Sequence, residues 1–200
     1  MAGRRSTGPL AVALIVLGAA AAVAGVAGRG GIAGGAVPPP GRFPVMEPSV
    51  PTRITIPALK VRAPIHDVGV ADDGSIAVPD LAHHNEAGWF KKSPTPGQYG
   101  PAVIVGHADT RTGPSIFHGL AKIKPGTRVE INRRDGSVAV FEVNSVEKFR
   151  KADQPIERIY ADFSRPSLRL ITCGGEFKGG GIGYVDNVVV FASLVEARAP

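Results

Sequence analysis

With 200 residues, 44% of them hydrophobic, and 26 glycines and 18 prolines, the chain has room for one ordinary domain plus appendages. The formal net charge is +6, but residues 1–50 carry four basic and one acidic residue, which leaves nineteen basic and sixteen acidic in residues 51–200 and excludes a strongly basic domain. The basic pairs Lys91-Lys92, Arg133-Arg134 and Arg150-Lys151 are scattered and lack aromatic platforms, so they read as solvated charges and not as a nucleic-acid footprint.

In chain order, residues 1–9 hold Arg4 and Arg5, and residues 6–28 are uncharged, with an apolar core over 10–27. That length suits a transmembrane signal-anchor helix, and the flanking charge puts residues 1–9 in the cytoplasm. A cleaved signal peptide is the alternative. Val23-Ala24-Gly25 and Val26-Ala27-Gly28 are small enough for cleavage, but a clean Ala-x-Ala site is missing, which favours a retained anchor. Both readings export the remainder of the chain. The expectation is a single-pass protein of the plasma membrane with its domain on the extracellular, cell-wall side. Residues 28–51, with Pro38-Pro39-Pro40 at the centre, read as a Gly/Pro-rich linker that cannot build a core. Residues 52–200 are globular in composition.

Within that domain, β-branched runs bounded by Gly, Pro, Asp or Asn predict strands at 53–57, 61–65, 75–78, 102–106, 128–132, 138–143, 146–149, 168–172 and 187–194. Asp135-Gly136 marks a hairpin turn, and Pro57 and Pro64 fall at strand ends. Ile116, Phe117, Leu120 and Ile123 have helical spacing. Asp153 is placed to cap a short helix with Pro155 in its first turn and Ile156, Ile159 and Tyr160 together. The expected fold class is all-β, a closed or nearly closed barrel with two short helices, which holds strand-end residues rigidly.

Two strands deliver a reactive group at their tips. Ala102-Val103-Ile104-Val105-Gly106 ends on His107, and Leu168-Arg169-Leu170-Ile171-Thr172 ends on Cys173, the only cysteine. A sole cysteine excludes an internal disulfide and a cysteine-rich metal site, leaving a buried structural thiol, an intermolecular bridge or a nucleophile. A thiol nucleophile needs a proton partner, and His107 as imidazolium would stabilise the thiolate and protonate a leaving amine. Gly106, Gly174 and Gly175 would let a peptide backbone approach, and N–H groups near Cys173 would serve as an oxyanion hole. Export raises the weight of the nucleophile reading. Adjacent His83 and His84, with Glu86, do not converge on a metal, and no His-Glu-x-x-His spacing exists; neither metal nor organic cofactor is expected.

Val105-Gly106-His107-Ala108-Asp109, Gly113-Pro114-Ser115-Ile116-Phe117 with Leu120, Leu170-Ile171-Thr172-Cys173-Gly174-Gly175 and Asn187-Val188-Val189-Val190-Phe191-Ala192 together resemble sortases, more narrowly the class F sortases of actinobacteria. The opening runs Arg53-Ile54-Thr55-Ile56-Pro57-Ala58-Leu59 and Val61-Arg62-Ala63-Pro64-Ile65 fit the same resemblance. It implies an eight-stranded closed barrel behind a membrane anchor and a cysteine transpeptidase. Such an enzyme cuts a C-terminal sorting motif of secreted proteins through an acyl-thioester and passes the acyl group to a peptidoglycan-precursor amine. It makes Cys173 the nucleophile and His107 the proton donor and acceptor. It also implies an arginine in or just before the last strand, where this chain has Val185 and Asp186 and no arginine from Gly174 to Glu196. Arg111 is the substitute favoured by position; Arg169, on the same strand face as Cys173, and Lys178 are the others. The departure keeps two alternatives open: a catalytically weakened binding module on the same barrel, and a cysteine hydrolase unrelated to wall anchoring. Trp89, Phe177 and Tyr184 are loop aromatics with the chemistry to line a peptide groove.

Overall fold

The computed structural model describes residues 43–179 and 183–200. The expected segments 1–9 and 10–27, and most of the linker 28–51, lie outside them. Among the described residues no helix is long and apolar enough to cross a membrane.

Ten strands are present in that region: β1 (Pro51–Ile56), β2 (Val61–Val68), β3 (Ala87–Phe90), β4 (Gly100–Val105), β5 (Asp109–Thr110), β6 (Gly113–Pro114), β7 (Arg128–Arg133), β8 (Val138–Arg150), β9 (Pro166–Phe177) and β10 (Tyr184–Arg198), with one short helix, α1 (Ile156–Tyr160). Eight close into a barrel in the order β1-β2-β3-β4-β9-β10-β8-β7, and β5 and β6 form a separate small hairpin. The β2–β3 and β4–β9 pairs are parallel; the other barrel pairs are antiparallel. Closure leaves no barrel strand with a free edge.

Side-chain alternation sorts the sequence into two cores. Leu168 and Leu170 of β9 point into the barrel with Ile54, Ile104, Phe117 and Phe141, all fully buried. The residues between them face outward. There Val103, Val105, Ile171, Val189 and Phe191 make a second apolar layer covered by Ile159 of α1. β9 continues past its expected end at 172 to Phe177, so Cys173 lies inside the strand, while His107 follows just beyond the end of β4; both lie at the end of this outer layer.

Several elements differ from expectation for identifiable reasons. Residues 75–78 alternate like a strand but make only an isolated bridge, Val70 to Ile76, inside a turn where Asp73 accepts the Ser75 N–H (3.0 Å) and hydroxyl (2.7 Å). β3 is not among the expected strands; it is four residues long and lies between β2 and β4. The runs 138–143 and 146–149 are one strand, β8, in which Asn144 is an extra residue bulged opposite Phe191 and Ala192 and fixed by the Ser193 hydroxyl at 2.8 Å. Pro64 lies inside β2, where the strand stops pairing with β1 and begins pairing with β3, so its missing N–H falls at the exchange of partners. Residues 116–123 form a loop with a 3₁₀ turn at Leu120–Lys122, and not an α-helix. Ile116, Phe117, Leu120 and Ile123 are nonetheless all buried, packed against the barrel interior. Asp153 lies in a 3₁₀ turn, Lys151–Asp153, and caps nothing; Pro155 occupies the N-cap position of α1. The Asp135-Gly136 turn forms as expected between β7 and β8, with Gly136 at φ 86. The end of the expected linker is tied to the barrel: Met46 N–H donates to the Gly97 carbonyl (2.9 Å), Ser49 N–H to Thr95 Oγ1 (3.1 Å), and Arg133 to the Glu47 carbonyl.

Candidate active site

The parallel β4–β9 register brings His107 and Cys173 together. It runs from Gly100 opposite Pro166 to Val105 opposite Ile171. Beyond β4, Gly106 N–H donates to the Ile171 carbonyl (3.1 Å), and the buried Thr172 hydroxyl donates to the Gly106 carbonyl (2.7 Å). Continued two places, this register sets His107 alongside Cys173. On its other side Cys173 is paired with Asn187 of β10. The glycines here are required by contact. A Cβ on Gly106 would lie 2.8 Å from the Phe117 ring and 2.9 Å from Ile116. Gly175 has φ 77, in the left-handed region, and carries the Asp186 carboxylate where its own Cβ would project. It lies at the register shift between β9 and β10, two residues beyond Cys173.

The imidazole is oriented. His107 Nε2 lies 2.6 Å from the Pro79 carbonyl, which can only accept, so Nε2 carries a proton and Nδ1 is the nitrogen free for exchange. Cys173 is half-buried. The Lys151 ammonium, at the start of the 3₁₀ turn after β8, reaches 3.8 Å from Cys173 Sγ. Both Cys173 and His107 line one cleft of about 660 Å³. Its apolar wall comes from Ile76, Phe90, Val105, Ile156, Tyr160 and Ile171, and its polar edge from Asp73, Gln154 and Asn187. Asn187 Nδ2 donates to Gln154 Oε1 (3.3 Å). Burial pushes the Tyr160 phenol up, which keeps it neutral at physiological pH. At the neighbouring β5–β6 hairpin the Tyr184 hydroxyl donates to the Asp109 carboxylate, and that bond raises the phenol above its ordinary range.

The three cations suggested by the sequence lie elsewhere. Arg111 is exposed at the turn between β5 and β6 and does not line the cleft. Arg169 shares the outward face with Cys173, as its alternation predicts, but is buried: its guanidinium donates to the Ile159 (3.1 Å) and Leu168 (3.2 Å) carbonyls and lies over the Phe191 ring at 4.6 Å. Burial depresses it to about 10. Lys178 is exposed and paired with Glu176 (3.6 Å). Two of the other histidines have partners away from the cleft, His66 with Glu86 and His84 with Ser115, and neither His83 nor His118 lines it. Trp89 is a core residue whose indole N–H donates to the Pro94 carbonyl (3.2 Å), while Phe177 and Tyr184 pack edge to face. Sequence reasoning missed Lys151, Asn187 and Gln154. In the sequence Lys151 is half of a solvated basic pair. The pattern that would have singled it out is the position of Arg150 as the last residue of β8, opposite Asp186, one place from the partner of Cys173.

Residues 54–195 match the family described as Sortase domain, well over half of the chain. Among solved structures, sortase A from Corynebacterium diphtheriae is similar at 22% identity and TM-score 0.56, covering 75% of this chain and 62% of that one. Sortase C-3 from Streptococcus pneumoniae is similar at 17% identity and TM-score 0.57 (76% and 66%), and sortase A from Listeria monocytogenes at 14% and 0.56 (75% and 90%). At these identities the likeness is one of fold. No curated protein matches the chain. The closed eight-stranded barrel carries a cysteine and a histidine on one cleft, and with the family match the chain belongs to the sortases, a family of cysteine transpeptidases.

Proposed function

We propose that the protein is a membrane-anchored class F sortase. It cleaves a C-terminal sorting motif of secreted proteins on the cell-wall side of the plasma membrane and transfers the product to a peptidoglycan-precursor amine. The observation that supports this best is the adjacency of Cys173 and His107 on one cleft, with the His107 ring oriented by the Pro79 carbonyl. The uncharged segment 10–27 behind Arg4 and Arg5 supports the anchor, and the motifs at 105–109, 113–117, 170–175 and 187–192 support the class.

The cycle balances without a cofactor. The Cys173 thiolate attacks the scissile carbonyl carbon, forming a C–S bond and an oxyanion. Collapse breaks the C–N bond, and the imidazolium gives its Nδ1 proton to the departing amine. An incoming amine attacks the thioester, His107 takes back a proton, and the thiolate leaves as the amide forms. Water in place of the amine gives a carboxylic acid.

The test is incubation of the full-length protein with sorting-motif peptides and a peptidoglycan-like amine, with mass spectrometry of enzyme and products. Wild type should form a thioester adduct and an amide; Cys173→Ala should form neither, and His107→Ala should lose nearly all turnover. Turnover undiminished in Cys173→Ala refutes the nucleophile. Acid as the sole product assigns the hydrolase, and a wild-type protein that binds the peptide without forming an adduct assigns the binding module.

A further inference from the structure

We infer that Lys151 is the cation of this active site and that it stabilises the negative charge on sulfur and on the oxyanion formed next to it. The inference rests on the reading of Cys173 as the nucleophile. Its Nζ lies 3.8 Å from Cys173 Sγ, and among the described residues Lys151 is the sole Lys or Arg that lines the cleft. The basic side chains that would compete for the role are occupied or displaced. Arg169 is buried under α1, Arg111 is on the β5–β6 turn, Lys178 is paired with Glu176, and Arg158 with Glu147.

The topology explains how a residue so far from Cys173 in sequence reaches it. β4, β9, β10 and β8 are consecutive neighbours in the barrel. Toward one side of the barrel they carry, or lead directly into, His107, Cys173, Asn187 and Lys151 in that order. β8 ends at Arg150 opposite Asp186, so the next residue turns over the end of β10 toward the sulfur. Gln154 holds the turn: its Nε2 donates to the Lys151 carbonyl (3.4 Å), and its Oε1 accepts from Asn187 (3.3 Å). The ammonium thereby reaches Cys173 from the β8 exit. The cation sits at a β8 exit instead of on the final strand, where this chain has Val185.

An ammonium suits this geometry. The oxyanion forms on the carbon bonded to Sγ, within reach of a donor already beside the sulfur, and a flexible four-carbon stem can follow the charge as it moves. Lys151 is exposed, so its attraction for that charge is screened by solvent and falls as salt rises.

The experiment compares full-length wild type, Lys151→Met, Lys151→Arg and Cys173→Ala. Two rates are measured at low and high salt: alkylation of Cys173 by iodoacetamide, and thioester formation with a sorting-motif peptide. Lys151→Met should alkylate about two- to fivefold slower and acylate about tenfold slower than wild type at low salt. Lys151→Arg should retain both rates within about threefold. The wild-type advantage should shrink at high salt, while the Met variant stays nearly salt-independent. Unchanged rates in Lys151→Met, beside an inert Cys173→Ala, overturn the Lys151 role and leave the nucleophile standing. Thioester formation by Cys173→Ala overturns both.

Discussion

Thr172 is the residue that most directly ties the two reactive strands. Its hydroxyl, inside the barrel wall, donates to the carbonyl of Gly106, the residue just before His107, while its own main chain leads into Cys173. Replacing it with valine keeps the shape but removes the donor and leaves the Gly106 carbonyl without that partner. Thr172→Val is expected to cost about 1–2 kcal/mol of stability. It should slow thioester formation by more than that loss alone explains, because His107 is freed to shift relative to the sulfur. Thr172→Ser, which keeps the hydroxyl, should restore the rate. Denaturant unfolding and single-turnover acylation check both; equal acylation by the valine and serine variants would remove the positioning role. The Gly-His and Thr-Cys dipeptides stand out in the sequence as strand tips. Their alignment does not, since it depends on the β4–β9 register and on Phe117 occupying the space that a Gly106 side chain would need.

Among the elements, α1 shows how a five-residue helix can serve stability and site with opposite faces. Ile159 is fully buried against Val103, Val105 and Ile171, whereas Ile156 is 58% exposed on the wall of the cleft. Ile159→Ala should destabilise the fold by about 2–5 kcal/mol through a cavity between helix and barrel. Ile156→Ala should leave the unfolding midpoint nearly unchanged and raise the KM for an apolar sorting peptide. Thermal unfolding paired with steady-state kinetics separates the two, and a reversed pattern would mean the faces are misassigned. The same contrast explains which elements are legible. Ile-Thr-Ile in β1, Ala-Val-Ile-Val in β4 and Val-Val-Val-Phe in β10 are β-branched or apolar runs covered on both faces or strictly alternating, and each is recognisable within a few residues. Residues 75–78 alternate equally well but have no continuous partner strand, so period two alone misleads. β3 escapes notice because four residues that include a glycine carry little local preference; two neighbouring strands impose it. The helical spacing of Ile116, Phe117, Leu120 and Ile123 reports burial correctly and helix wrongly, since an irregular loop plugging a barrel end buries side chains at any spacing that fits.

At the scale of the whole molecule, closure couples distant turns, because loosening one strand pair opens the ring. Three of those turns share one construction. Asp73 beside the cleft, Asp135 in the β7–β8 hairpin and Asp162 before β9 each accept the N–H and hydroxyl of the serine two residues on, Ser75, Ser137 and Ser164. The serine hydroxyl bond is the leading cause that holds each carboxyl below its ordinary range; nearby arginines add to it at Asp135 and Asp162. A carboxyl whose folded value is lowered binds fewer protons folded than unfolded. Its stabilisation is complete above about pH 4, the ordinary carboxylate range, and is lost as the pH falls through the lower folded value. The barrel should therefore lose stability progressively from about pH 4 downward. A triple variant, Asp73→Asn, Asp135→Asn and Asp162→Asn, retains an acceptor oxygen at each turn but no titrating group. It should be less stable than wild type at neutral pH and show a flatter fall in urea midpoint between about pH 5 and pH 2.5. An unaltered slope in the triple variant would move the acid sensitivity to other carboxylates, such as those in the Arg128, Glu130, Glu196 and Arg198 network along the far end of β10.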